Sequence, residues 1–162
     1  MKKSFSVTLV CLIALSATVF LPNVFASPPE PASGSWTYVV TSIEDTKYAD
    51  GNTFRYGEEI GTWTGTFTGT SLDYFEVVIH PKGFVTCQGR IAFTGDVNSA
   101  SGTLEIIFIG KKYPASPEGL WSGKWVILGG TGDLAGLQGR GTWEGPSFYL
   151  DYEGWIHFNP KL

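Results

Sequence analysis

The chain has 162 residues, 43% of them hydrophobic, and carries a formal net charge of −4. That length suits one domain able to bury about two-thirds of its unfolded surface without a metal or disulfide staple. The acidic balance, with no cluster of Lys and Arg, argues against nucleic acid and against an anionic membrane surface as partners.

The first predicted element is a leader. Lys2 and Lys3 precede an apolar run from Phe5 to Leu21, followed by Pro22 and the small-residue pattern Val24-Phe25-Ala26. This is the pattern of a secretory signal peptide cleaved after Ala26. The run is marginal for a span of about 20 residues, so the expectation is an exported protein with no stable membrane insertion after cleavage. Residues 1–26 are therefore assigned to the signal, 27–34 to a Pro-rich linker and 35–160 to a single domain. Pro28-Pro29-Glu30-Pro31 suits an extended tether. Cys11 would leave with the signal, so Cys87 remains as a lone thiol.

Beyond Trp36 the apolar residues recur with period two or in short runs, among Gly, Thr and aromatics. The domain is read as all-β. Its expected strands run from Ser35 to Ile43, Gly61 to Gly69, Leu72 to His80, Phe84 to Thr94, Gly102 to Ile109, Leu120 to Gly129, Leu137 to Glu144 and Ser147 to Phe158. Asp50-Gly51-Asn52 tips a long first connection, and Asn98 to Gly102 makes a polar corner.

The clearest alternation is Thr62-Trp63-Thr64-Gly65-Thr66-Phe67-Thr68, which puts threonines on one face and Trp63 and Phe67 on the other. Around Cys87, the residues Val85, Gly89, Ile91 and Phe93 share its face, so the thiol is expected to point inward. Gly139, Gly141 and Gly145 share a face with Trp143. Glycine beside large aromatics at alternate positions fits strong curvature, and a small closed barrel removes unpaired edges. A two-sheet sandwich is the alternative, because alternation alone does not separate the two architectures.

The stretch Gly129-Gly130-Thr131-Gly132-Asp133-Leu134-Ala135-Gly136-Leu137-Gln138-Gly139 lies between two apolar strands. It is joined by Gly89-Arg90-Ile91-Ala92-Phe93-Thr94-Gly95, Ser101-Gly102-Thr103-Leu104 and Tyr149-Leu150-Asp151-Tyr152. Together these segments resemble a bacterial family of unknown function with an allene-oxide-cyclase-like, dirigent-like barrel. The resemblance implies a single eight-stranded antiparallel β-barrel with an apolar interior. Relatives of that fold include plant cyclases and dirigent proteins, several of which hold a reactive ligand inside the barrel. Related barrels often self-associate through their outer walls, which makes a homo-oligomer one expectation.

As a phosphate cradle the glycine stretch is weak: it lacks Walker or Rossmann spacing, and no Lys follows it. It reads as a structural corner capped by Asp133, with Leu134 and Leu137 tucked against the barrel end. Only His80 and His157 are available as imidazole ligands, on separate strands, so no metal and no cofactor is expected. Cys87 has no predicted base beside it and is read as an inert buried thiol.

Two carboxylates, Glu76 and Glu105, stand in runs that are apolar on both faces. Turned inward, either would have a raised pKa and the capacity for acid–base work. Trp36, Trp63, Phe67, Phe93, Trp143 and Tyr152 are the expected interior rings, each burying about 150–250 Å². With Cys87 they form the candidate lining of a site for a small hydrophobic molecule. Ligand binding or an interaction role is the leading expectation, a cyclase or isomerase the second. A lipocalin-like or avidin-like carrier shares the barrel but lacks its sequence signatures here.

Overall fold

A computed structural model describes residues 27–159. The expected signal peptide lies outside the described residues. Eight antiparallel strands follow one another in chain order: β1 Glu30–Ala49, β2 Asn52–Gly65, β3 Phe67–His80, β4 Phe84–Val97, β5 Ala100–Tyr113, β6 Leu120–Gly132, β7 Leu137–Gly145 and β8 Tyr149–Phe158. Each pairs with the next, and β8 pairs with β1, so the sheet closes on itself as a barrel. Trp36 stands opposite both Trp63 of β2 and Leu150 of β8, which places it at the seam of closure. Two separate packed sheets are thereby replaced by one ring.

Several strands run longer than expected, and three differences change how the chain is connected. The residues from Gly61 to Gly69 form two strands, not one: β2 ends at Gly65, and β3 starts at Phe67 after a single intervening Thr66. Gly65 adopts φ +97°, a turn conformation that a side chain would resist. Trp63 and Phe67 still share the interior because the tight hairpin returns Phe67 to the same face. The long first connection is instead the outer half of a β1–β2 hairpin, turning at Asp50 and Gly51. Finally, Glu30 to Gly34, assigned to the linker, belong to β1 and pair with β8, Glu30 opposite Ile156 and Pro31 opposite Trp155. Proline is compatible with extended backbone near the start of a strand, and Ala32 supplies the buried contact that holds this segment down.

An eight-stranded barrel is about wide enough for side chains to fill. One end here is filled. Phe67, Phe93 and Tyr152 surround Trp63, and Phe67 also meets Phe93, Tyr152 and Trp125, at ring separations of 5.3–6.0 Å. Leu134 and Leu137, from the glycine-rich corner, are almost fully buried in the same core. That corner is closed by backbone bonds, including Leu134 N–H to Thr131 O at 3.2 Å and Leu137 N–H to Leu134 O at 3.0 Å. The capping role assigned to Asp133 falls to the main chain: its backbone N–H donates to Ser101 O at 2.9 Å, and its side chain is exposed.

Candidate functional site

The opposite end of the barrel holds a cavity of about 210 Å³. Its wall is mostly rings: Trp36 and Tyr38 from β1, Phe75 from β3, Phe108 from β5, Trp121 from β6 and Trp143 from β7. Phe148, in the loop between β7 and β8, forms the lip. It sits at φ +73°, an unusual conformation for a bulky residue. The Tyr38 N–H donating to Phe148 O at 3.3 Å and a ring contact of 5.5 Å between the same residues hold it there. A groove of about 1030 Å³ on the outer wall is larger but open, and its Lys111 and Lys124 are mixed with Glu144, Asp151 and Glu153. Cys87, Trp143 and Tyr152, three of the residues expected to line a ligand site, also border this groove.

The inner wall carries two carboxyl groups that the sequence reading passed over, Glu59 of β2 and Asp73 of β3. They are directly opposite one another in the β2–β3 register. Glu59 is 6% exposed and lines the cavity, whereas Asp73, fully buried, stands behind it. Burial, reinforced by the neighbouring Asp73 charge, pushes Glu59 up to about 8. Burial likewise raises Asp73 to about 7, opposed by the nearby Ser71 hydroxyl. That hydroxyl falls short of hydrogen-bond geometry with Asp73, since both Asp73 oxygens lack a partner, and it accepts instead from Trp63 Nε1 at 2.9 Å.

Gly61 explains how these groups fit. A Cβ at this position would strike Ser71 Oγ, Trp36 Nε1 at 2.5 Å and Asp73 Oδ2 at 3.1 Å. The absence of a side chain leaves room for three polar atoms to converge. The Trp36 N–H, like the Asp73 oxygens, has no hydrogen-bond partner among the described residues.

The expected carboxylates do not occupy this interior. Glu76 lies on the outward face of β3, one residue out of phase with Phe75, and accepts from Gln88 Nε2 at 2.9 Å and Tyr56 Oη at 3.4 Å. Glu105 is 49% exposed on the outer wall and pairs with Arg90. Both are corrected from candidate acids to wall residues, because strand parity turns them toward water. The ring candidates divide by level. Trp36 and Trp143 line the cavity with Cys87, whereas Trp63, Phe67, Phe93 and Tyr152 belong to the filled end. The Tyr152 hydroxyl is used structurally, accepting from Phe67 N–H at 2.9 Å and donating to Thr64 O at 3.0 Å.

Burial pushes the Cys87 thiol up to about 12, helped by the Glu59 charge and opposed by a backbone hydrogen bond at Gly110. Cys87 is therefore expected to react slowly with iodoacetamide at neutral pH in the native protein and quickly once unfolded. Mass spectrometry of the alkylated chain reads this directly, and rapid native labelling would show a thiolate that the geometry does not predict. His80 stacks on Phe84 at 4.1 Å and bonds Thr86 at 3.1 Å. Among the described residues there is no group of three or more His, Cys, Asp or Glu placed to hold a metal.

No protein-family model matches the sequence, and no curated protein matches it. A crystal structure at 1.84 Å of a protein of unknown function from the DUF3224 family of Shewanella oneidensis MR-1 is similar in fold, with a TM-score of 0.68. The likeness is one of architecture. Sequence identity is 17%, and the match covers 83% of this chain and 100% of that one. The shared course of the chain thus extends through most of the strands that build the cavity.

Proposed function

We propose that this is an exported barrel of the allene-oxide-cyclase-like type that binds one small, largely apolar molecule in its open end. The carrying observation is the cavity of about 210 Å³, walled by aromatic rings and reached by the single carboxyl of Glu59. A cavity of about 150 Å³ accommodates benzene, so a one-ring ligand with one polar group is the appropriate scale. Ring faces supply contact area, and the carboxyl supplies orientation. The signal-like leader supports export.

Native mass spectrometry of the protein recovered from its own host is expected to show one bound small molecule per chain. Val77→Phe, which adds bulk to the cavity wall, is expected to lose that mass while remaining folded. A bare mass for both proteins would remove the reading.

A second reading, a cyclase or isomerase, is favoured by one specific feature. Glu59, raised to about 8, holds a proton near neutrality and can both give and take it. Such a reaction would rely on a shaped, water-poor chamber for orientation. Conversion of the recovered ligand by the wild type but not by Glu59→Gln would favour this reading over simple binding.

A further inference from the structure

We propose that the cavity selects a small organic cation, a monoamine whose ammonium group sits against Glu59 while its apolar body lies among Trp36, Trp121 and Trp143. This rests on the cavity reading above and adds the charge of the ligand.

The argument starts from the register. Glu59 and Asp73 face the same interior from directly opposed positions, where side chains of a strand pair stand about 5 Å apart at Cβ and like charges repel. Among the described residues no Lys or Arg forms an ion pair with either. Asp73 is completely buried with both oxygens unpartnered, and Trp36, which lines the cavity, has an unpartnered N–H beside it. The wall therefore holds an acid pair with no counter-charge, in surroundings that penalise an isolated ion.

The ionisable groups that line the cavity with Glu59 are themselves acids, Tyr38 from β1 and Cys87 from β4, and the one buried cation among the described residues, Lys112, makes no ion pair with the acid pair. Lys112 of β5 is engaged at the rim, where its Nζ donates to Ser147 Oγ at 3.0 Å and lies 5.9 Å from the Trp121 ring centre. That contact shows how a cation sits on this wall, since aromatic faces attract ammonium groups. An organic ammonium would meet a carboxylate at one side and ring faces around it. A metal ion such as calcium needs about six to eight oxygen ligands, which the rings do not provide, and an anionic ligand would be repelled as soon as either acid ionised.

Because an ammonium favours ionised Glu59, its binding expels the proton that the empty site holds. Amine affinity should rise with pH until Glu59 has titrated, by up to about tenfold per unit. A neutral ligand of the same shape has no such dependence.

The test titrates the full chain with phenethylamine, phenethyl alcohol and hydrocinnamate, following tryptophan fluorescence. The amine is expected to bind about tenfold or more tighter than the alcohol near neutral pH, with hydrocinnamate weakest. Its affinity should climb between about pH 6 and about pH 7.5 while that of the alcohol stays level. Glu59→Gln should abolish the preference for the amine over the alcohol together with the pH dependence of amine binding. If the variant fails to fold, the three ligands on the wild type decide the matter. Equal or tighter binding of the alcohol would overturn the cation and leave the cavity reading standing, whereas no binding of any ligand at millimolar concentration would overturn both.

Discussion

Trp143→Ala is expected to lower stability by about 3–5 kcal/mol, read as a fall in the denaturant midpoint with little change in slope. The indole is 4% exposed and packs between Trp36, Phe108 and Trp121 at 6.3–6.5 Å. Its edge lies over Gly110 and Gly123, where any Cβ would collide with it. Its N–H donates to Lys124 O at 3.2 Å. Truncation thus removes contacts with three other strands, β1, β5 and β6, and leaves that carbonyl without its indole donor. The backbone of a closed ring has little freedom to collapse into the space, which favours the upper part of the range. The vacated volume joins the existing cavity, so added indole should restore part of the loss. An unchanged midpoint would mean that the residue does not anchor the wall.

The second large effect is on pH dependence. Stability is expected to be greater near pH 5 than near pH 8, opposite to the behaviour of a protein whose carboxylates are stabilised by ion pairs. Glu59 and Asp73 are raised to about 8 and about 7, well above their values in an unfolded chain. Between those limits the native state holds protons that the unfolded state has released. Their contribution is complete below about pH 4, declines as pH rises through the native values, and is lost above about pH 8. One proton per pH unit corresponds to about 1.4 kcal/mol. Solvent reaching Glu59 through the open end reduces the total, and a loss of roughly 2–4 kcal/mol is expected across the window. Urea denaturation at a series of pH values measures it. Glu59→Gln should remove about half of the slope and leave the share of Asp73, which burial raises by itself, and a level profile in the wild type would show that the pair is solvated and ordinary.

The dyad was legible in principle. Counting in twos from Phe67 reaches Asp73, and counting back in twos from Trp63 reaches Glu59. Both rings were expected inside, so parity alone sends both carboxyls inward and sends Glu76 out. The obstacle was strand length. Assigning the residues before Gly61 to a connection left Glu59 without a strand, and merging β2 with β3 hid the hairpin that brings the two acids opposite each other. Glu105 misled for a different reason: apolar residues that share its face, such as Ile107 and Ile109, are outer-wall residues that the barrel leaves partly in water.

By itself the sequence determined the class of fold, the inward position of Trp36, Trp63, Phe67, Cys87, Phe93, Trp143 and Tyr152, and the burial of Leu134 and Leu137 at the glycine-rich corner. Those follow from local alternation and from glycine placement, which act over a few residues. Tertiary structure alone decided which rings fill the barrel and which surround a cavity. It also decided that Glu59 meets Asp73 across a strand pair. The reason is physical: level within a barrel and contact across a ladder depend on register, and register is set by turns and by closure of the whole ring.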